Sequence, residues 1–290
     1  MNSTLSPKAR LPVTLRQMTD SLHDLESALQ LSRGAGWTYR LEDWRIALLL
    51  GEGVLAEESG QVIGSALCWP YGDALATCGS IIVAPAMQGR GLGRALLAQL
   101  LQLTGERAIL LNSTAEGMRL YQAFGFKPVG TVHQHMGRGR VAAGQHETDH
   151  QVRRAGPEDL QVVTAMDQRA VGATRHRMIA ALFKSGSLAV IERNGNVQGY
   201  AICRPFGSGQ VIGPVVATGA EDAKTLITHF LTANEGQNLR IDIDGDSGLG
   251  SWLIAQDLPE VGQVTTMIRG ERPPVSGPER IFALASQSFG

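Results

Sequence analysis

The 290-residue chain is poor in charge and in cysteine and has no long hydrophobic run, and each shortage excludes a class of protein. Charged residues make up 18% and the formal net charge is −1, which argues against nucleic-acid binding through bulk positive charge and against a disordered chain. The three cysteines form no CxxC pair, so we expect reduced thiols in a cytoplasmic protein. No run of about 18 apolar residues predicts a membrane span. Residues 1–12 lack the apolar core of a secretory signal and are expected to form a flexible leader.

Two stretches of the chain repeat each other at an offset of 135 residues. Seven of the seventeen positions in 54–70 (VLAEESGQVIGSALCWP) match those in 189–205 (AVIERNGNVQGYAICRP), and each copy predicts a β-hairpin. The same offset aligns Asp24 with Asp159 in two helix-like segments, each of which follows a short strand. A second match at one offset favours duplication over chance.

The boundary between the two copies is expected in 137–150 (GRGRVAAGQHETDH), which is polar, rich in glycine and without hydrophobic periodicity. This placement gives a first domain over 13–137, a linker over 138–150 and a second domain over 151–290. Both halves alternate predicted strands with predicted helices, so the fold class is α/β or α+β.

The clearest chemical signal is a glycine-rich turn between a strand and a helix. The β-branched strand 80–83 is followed by Gln88-Gly89-Arg90-Gly91-Leu92-Gly93-Arg94, and leucines at helical spacing continue to residue 101. Glycines allow positive φ and let backbone N–H groups approach a ligand, while a helix start and two arginines add positive charge. This combination predicts a site for a diphosphate.

Three phosphate-binding motifs compete for this turn, and a turn without any ligand is the further alternative. A P-loop is excluded because no Lys-Ser/Thr follows the glycines. A Rossmann loop needs one more residue between the last two glycines, and Glu106 ends no clear strand where an acidic ribose ligand is expected. The third motif, Gln/Arg-x-x-Gly-x-Gly/Ala, is matched in full by residues 88–93.

With that motif, the turn resembles the GCN5-related N-acetyltransferase (GNAT) superfamily, whose loop holds the diphosphate of acetyl-coenzyme A. Residues 120–126 (LYQAFGF) resemble the LYxxxGF element of the same superfamily, in which the tyrosine hydroxyl lies near the coenzyme sulfur. Residues 114–117, 212–217 and 278–285 are similar to a tandem subgroup with a degenerate second acetyltransferase domain. The resemblance implies two tandem domains, each a mixed and mostly antiparallel sheet flanked by helices.

The resemblance also implies roles for residues of the first domain. A bulge or splay in strand 80–83 would free backbone N–H groups for the pantetheine and the thioester oxygen. Tyr121 would be the general acid, because its unperturbed pKa near 10 exceeds that of a thiol near 8.5. Thr114 stands where many members have Asn, and Asn112 lies two residues away. The implied coenzyme-binding residues are Ile81, Ile82, Val83, Gln88, Gly89, Arg90, Gly91, Leu92, Gly93, Arg94, Thr114 and Tyr121.

The acceptor side is less defined. The candidate acceptor-binding residues, for which core packing is an equally good explanation, are Trp37, Trp44 and Trp69. The candidate general bases are Glu42, Asp43, Glu57, Glu58, Asp73, His133 and His135, and water can relay the proton instead. Helix capping is expected for Glu42 and Asp43, and solvent exposure for His133 and His135. No His/Cys spacing predicts a metal site, and Cys78 is expected to be a buried strand residue.

The second domain is expected to have lost the coenzyme site. Where a glycine turn should follow its strand 213–217, residues Glu221 and Asp222 instead place negative charge at the diphosphate position. Like charges a few ångströms apart repel by about 1–4 kcal/mol there. No counterpart of 120–126 is evident, so this domain is expected to shape the acceptor site of the first or to form a homodimer contact.

The function expected from these patterns is acetyl-CoA-dependent N-acetylation of a primary amine, on a small molecule or amino acid, with no metal, nucleic-acid or membrane partner. A non-catalytic protein that senses acyl-CoA or a metabolite with the same fold is the alternative. A nucleotide-dependent oxidoreductase is a third option.

Overall fold

A computed structural model describes residues 13–141 and 152–290. The predicted leader and most of the predicted linker lie outside the described residues. The described strands and helices follow one order that occurs twice. The first half consists of β1 (Thr14–Gln17), α1 (Leu22–Gly34), α2 (Leu41–Leu50), β2 (Glu52–Glu58), β3 (Gln61–Tyr71), β4 (Leu75–Val83), α3 (Leu92–Thr104), β5 (Ala108–Ser113), α4 (Met118–Gln122) and β6 (Lys127–Gly137).

The second half repeats this order and adds one strand. It consists of β7 (Val152–Arg154), α5 (Leu160–Val171), α6 (His176–Ser185), β8 (Ser187–Arg193), β9 (Asn196–Phe206), β10 (Gly209–Ala217), α7 (Ala220–Ala233), β11 (Leu239–Asp244), α8 (Gly250–Ala255), β12 (Glu260–Arg269) and the additional β13 (Arg280–Ala283). The hairpins β2–β3 and β8–β9 have equivalent bounds at the offset of 135, which confirms both predicted hairpins.

Each half also contains the same ion-paired triad, which supports the predicted duplication. An arginine of the first strand bridges an aspartate near the start of the first helix and a glutamate of the hairpin. The triads are Arg16–Asp24–Glu57 and Arg153–Asp159–Glu192. The arginine–aspartate distance is 2.8 Å in both.

The thirteen strands of the described chain form one continuous sheet in the order β1-β2-β3-β4-β5-β12-β6-β11-β13-β10-β9-β8-β7. Its pairings are antiparallel except for the parallel pairs β4–β5 and β10–β11. The halves exchange their last regular strands, because β12 pairs with β5 while β6 pairs with β11. The sheets expected for two domains are therefore fused, and the exchange covers two sheet edges that would otherwise be exposed.

Helices pack on both faces of the sheet. The leucines of α3 at positions 92, 96, 97 and 100 are buried on one face of β2–β5, together with α4. On the opposite face, α1 and α2 share one hydrophobic cluster with α5 and α6, so the two halves have a common core. Within the described residues, no helix is both long and apolar enough to cross a membrane.

Candidate active site

The glycine turn between β4 and α3 has the backbone geometry of an anion site. Gly89 and Gly91 have φ of +73° and +80°, and a Cβ on either would meet no atom within 4 Å. Glycine is therefore needed for the backbone conformation, and the space above the turn is open. Across the described chain, no acceptor lies within hydrogen-bond reach of the N–H groups of residues 89–94, which surround the N-terminus of α3.

The polar side chains of the turn are held beside these N–H groups. Arg90 pairs with Glu58 of β2 at 2.6 Å, and this hydrogen bond raises the pKa of Arg90. Arg94 lies over the ring of Phe124, 4.9 Å from its centroid. Gln88 donates from Nε2 to the carbonyl of Val83 at 3.3 Å. Both guanidinium groups thus remain next to the turn, and one of them already has an acidic partner.

The strand before the turn departs from regular pairing on both of its edges. β4 pairs in parallel with β5 as far as Cys78 and Leu111, and beyond these residues the two strands splay apart. On its other edge, β4 has a bulge against β3, where Ser80 and Ile81 together oppose one residue. Ser80 has a φ of +51°, a left-handed conformation that is strained for a residue with a Cβ. The structure thus has both of the alternatives that the resemblance implies, a bulge and a splay.

The three strand residues expected at the pantetheine lie on different faces. Ile81 and Val83 pack with α3, on the face of the glycine turn, whereas Ile82 is buried on the opposite face with α1 and α2. Leu92 is likewise buried beneath the turn, so only its main chain faces the open space. Gly93 follows in the first turn of α3.

Tyr121 lies on α4, on the same face of the sheet as the glycine turn. Its side chain is buried in the cluster that contains Cys78 and Phe126. Burial, with a smaller contribution from Cys78, raises the pKa of Tyr121 to about 12. In the described part of the chain, no group hydrogen-bonds its hydroxyl. The phenol therefore stays protonated across the neutral range and can donate a proton to an anion that forms nearby.

Asn112 lies in β5, and Thr114 follows the end of that strand. Thr114 is exposed in the loop before α4; the pKa of Glu116 is lowered by the Glu116 backbone N–H and by the Thr114 hydroxyl. Asn112 instead faces away from Tyr121, where its Nδ2 donates to the carbonyl of Gln287 at 2.9 Å and its Oδ1 accepts from Thr266 at 2.8 Å. Asn112 therefore does not take the place of an asparagine at position 114.

The tryptophans expected on the acceptor side are mostly core residues. Trp44 and Trp69 have no exposed surface, and each donates its indole N–H to an internal acceptor, the Ser32 hydroxyl and the Ala47 carbonyl, respectively. Trp37 is partly buried against Tyr39. Their contact with an acceptor stays a prediction, and the positions of Trp44 and Trp69 favour core packing.

The seven candidate bases have other partners or positions. Asp43 caps α2 through Arg40 and also accepts from the backbone of Gly207, as expected for a capping residue. His133 contacts Glu260 at 3.1 Å. The remaining ion pairs of this set are Glu42–Arg45, Glu57–Arg16, Glu58–Arg90 and Asp73–Arg107.

His135 corrects an expectation. We expected solvent exposure, but its side chain is fully buried and its Nδ1 lies 2.8 Å from the Leu258 carbonyl. The reason is the strand exchange, which inserts β6 between β11 and β12 of the second half.

The second half lacks the glycine turn and the tyrosine of this site, although β10 has a bulge against β9. Two residues separate β10 from α7, against eight between β4 and α3, so the glycine turn is absent as predicted. Asp222 at the start of α7 pairs with Arg193 at 2.7 Å. A short helix, α8, does occupy the place of α4, but it has Leu253 where the first half has Tyr121. The two residues are equivalent in backbone position, because the carbonyl of each accepts a hydrogen bond of 3.1 Å from the N–H group five residues later in the chain.

The gap that corresponds to the splay is filled in the second half. β13 enters between β10 and β11, pairing through Ile281 with the former and through Ala283 with the latter. Residues 284–290, which we call the strap, then cross to the first half and reach the splay of β4 and β5. Beside the strap is an interdomain cavity of about 560 Å³ that is lined by residues of both halves, including Thr77, Asn112, Arg272 and Ser288.

A splayed and bulged strand, an open glycine turn at a helix start and a buried tyrosine define a fold of acyl-coenzyme A-dependent transferases. Two family models described as acetyltransferase (GNAT) domains match the chain, one over residues 51–128 and the other over 163–283. The chain belongs to the GNAT superfamily, with two such domains in tandem, and is an acyltransferase by family; acetyl-CoA is the co-substrate of that family.

Relatives and solved structures extend this similarity along the chain. The uncharacterized N-acetyltransferase YitH of Bacillus subtilis is 26% identical over 278 residues, which are 93% of this chain and 97% of YitH. A candidate acetyltransferase from Pyrococcus horikoshii has the same fold with a TM-score of 0.80 and 18% identity, covering 100% of this chain and 99% of its own. A tandem GNAT protein from the clavulanic acid biosynthesis pathway shares the fold with a TM-score of 0.63 and 13% identity, covering 92% and 100%.

Proposed function

We propose that the chain is an acetyl-CoA-dependent N-acetyltransferase that moves an acetyl group directly to a primary amine of a small molecule or amino acid. The observation that carries this proposal is the alignment, on one face of the sheet, of the open turn 88–94, the bulged strand and Tyr121. All three lie in the first half; the second half has a bulge in β10 but neither the glycine turn nor a counterpart of Tyr121. The first half is therefore the catalytic one.

The turn would bind the diphosphate of the coenzyme. Its N–H groups lie at the positive end of α3, and Arg90 and Arg94 lie beside them. Because Glu58 already pairs with Arg90, this arginine would share its charge between a carboxylate and a phosphate. The pantetheine would run along the bulged end of β4, where the splay leaves room for it to reach the centre of the sheet.

Transfer would proceed by direct attack. The neutral amine attacks the thioester carbon, forming the C–N bond, and backbone N–H groups freed at the bulge stabilise the oxyanion. Collapse of this intermediate breaks the C–S bond, and the departing thiolate takes the proton of Tyr121. The surplus proton of the nitrogen leaves to water, which then returns a proton to the phenolate. The raised pKa of Tyr121 keeps the phenol protonated until the thiolate forms.

The acceptor would approach from the face opposite Tyr121. The interdomain cavity lies on that face and has room for a small molecule. Since both halves line it, the second half would shape the acceptor site. A homodimer contact is the other role proposed for this half.

A non-catalytic acyl-CoA sensor is the second candidate. It is favoured by one observation, namely that the seven candidate bases do not line the cavity in the described structure. Direct turnover measurements separate the two functions, because a sensor binds acetyl-CoA and releases no thiol with any amine.

The decisive variant is Tyr121→Phe, which removes the hydroxyl and keeps the ring against Phe126. With acetyl-CoA and an amine that the parent accepts, kcat should fall about 10²–10⁴-fold while the coenzyme Kd changes little. Tyr200→Phe is the matched control, because it removes a buried hydroxyl of the second half that bonds Asp167. A Tyr121→Phe variant with kcat and Kd within about twofold of the parent would refute the acid role.

A further inference from the structure

The strap crosses the mouth of the splay between β4 and β5. Gly79 and Asn112 are the first residues beyond the last pair of these strands, and the strap touches both. A Cβ on Gly79 would lie 2.9 Å from the Cα of Ser288, and the Asn112 side chain bonds the Gln287 carbonyl at 2.9 Å. Residues 287 and 288 of the strap therefore cover the opening next to Gly79 and Asn112, and the interdomain cavity lies beside them.

The strap lies on the face of the sheet opposite Tyr121. Cys78 and Leu111 point toward the α3 face and pack in the same cluster as Tyr121. Because side chains alternate along a strand, Gly79 and Asn112 point the other way, toward the strap. A thioester whose sulfur lies near Tyr121 would direct its acyl group through the splay, and the far end of that group would meet residues 287–288.

The strap is held firmly in this position. Its buried Phe289 packs on Trp69, and the Ser288 hydroxyl lies 3.1 Å from the hydroxyl of Tyr39. Three further side chains bind it from both halves, through Arg204 to the Ala285 carbonyl, Tyr71 to the Phe289 carbonyl and Asp242 to the Gln287 side chain. A longer acyl group that continues straight through the splay would have to displace a segment that all these contacts retain.

We infer that Gln287 and Ser288 form the end wall of the acyl site and restrict the donor to short acyl groups such as acetyl. This inference rests on the proposed function, because it requires the coenzyme to bind in the splay. The second half would then take part in donor selection. Its strand β13 is held between β10 and β11 and leads directly into residues 287 and 288.

The test is a chain-length series that needs no acceptor. Calorimetry with the full chain measures Kd for free coenzyme A and for its acetyl, propionyl, butyryl and octanoyl thioesters. Free coenzyme A and acetyl-CoA should bind within a few-fold of each other, and butyryl- and octanoyl-CoA at least about tenfold more weakly, as is usual for extra methylenes against a closed pocket.

Two substitutions at Ser288 should change the acyl chain length that the site accepts, in opposite directions. Ser288→Gly should reduce the penalty for butyryl-CoA by about threefold or more, and Ser288→Val should extend the penalty to propionyl-CoA. Ser208→Val, at an exposed turn, is the matched control and should leave the series unchanged.

The outcomes separate this inference from the proposed function. If neither free coenzyme A nor acetyl-CoA binds to the folded chain, the proposed function fails and the inference fails with it. If both bind and octanoyl-CoA binds as tightly, only the inference is overturned. Should the Ser288 variants not fold, the series on the parent chain still decides between these results.

Discussion

A single methyl group at Gly91 provides a direct test of the glycine turn. Gly91 is the residue before α3 and has a φ of +80°, while a Cβ there would touch nothing within 4 Å. Gly91→Ala therefore introduces no clash. The substitution should lower the free energy of unfolding by about 1–2 kcal/mol, because alanine is strained in the left-handed backbone conformation.

The chain contains a matched control in Gly219, which precedes α7 in the same topological position. Its φ is −156°, an extended conformation open to any residue, and its Cβ position is also empty. Gly219→Ala should lower the free energy of unfolding by less than about 1 kcal/mol, the difference between glycine and alanine as N-caps. The two variants then differ in backbone strain and in nothing else that the structure shows.

Urea unfolding and calorimetry with acetyl-CoA measure the two consequences. Gly91→Ala should be the less stable variant and should bind acetyl-CoA at least about tenfold more weakly, because a turn that relaxes its φ loses one or more hydrogen bonds to a charged phosphate, each worth about 1.5–3 kcal/mol. Gly219→Ala should leave binding unchanged. Equal coenzyme affinity in both variants would refute the assignment of the turn, and equal stability would refute the backbone argument.

Two further predictions concern charged groups. Glu58→Gln should tighten acetyl-CoA binding a few-fold at low salt, because Arg90 then loses its acidic partner and a like charge leaves the diphosphate site; calorimetry in rising salt checks this, and weaker binding would contradict it. Arg16 holds the pKa of Asp24 down at about 2, so this carboxylate stabilises the fold above its unfolded pKa and the stability is lost as the pH falls toward 2. Asp24→Asn should lower the unfolding free energy by about 1–2 kcal/mol at pH 7, allowing for the partly exposed Arg16, and should flatten the stability profile below pH 4 in urea titrations; an unchanged profile would contradict it.

Local patterns predicted the parts of the site that lie close together in sequence. The glycine turn and the hairpins each depend on residues within about a dozen positions, and the structure has both. The loss of the turn in the second half was equally predictable, because Glu221 and Asp222 stand where the glycines would be.

No pattern in the sequence predicted the contacts between residues that are far apart along the chain. Nothing in the alternation of β6 and β12 indicates that each completes the sheet of the other half, and the burial of His135 follows from that exchange alone. The approach of Ser288 to Gly79 joins residues 209 positions apart, and no periodicity reports such a contact.

The second half differs from the first in the charges beside the hairpin and in the gap between its parallel strands. At the repeat offset, Glu58 corresponds to Arg193, and the pair Glu58–Arg90 of the first half has its charges reversed in Arg193–Asp222. The reversal puts the negative charge at the helix start, where a diphosphate would need a positive one. The parallel strands still diverge, and unpaired backbone groups inside a core are costly, so β13 pairs with both edges of the gap. In the first half no strand fills the corresponding gap, and the strap that reaches it continues directly from β13.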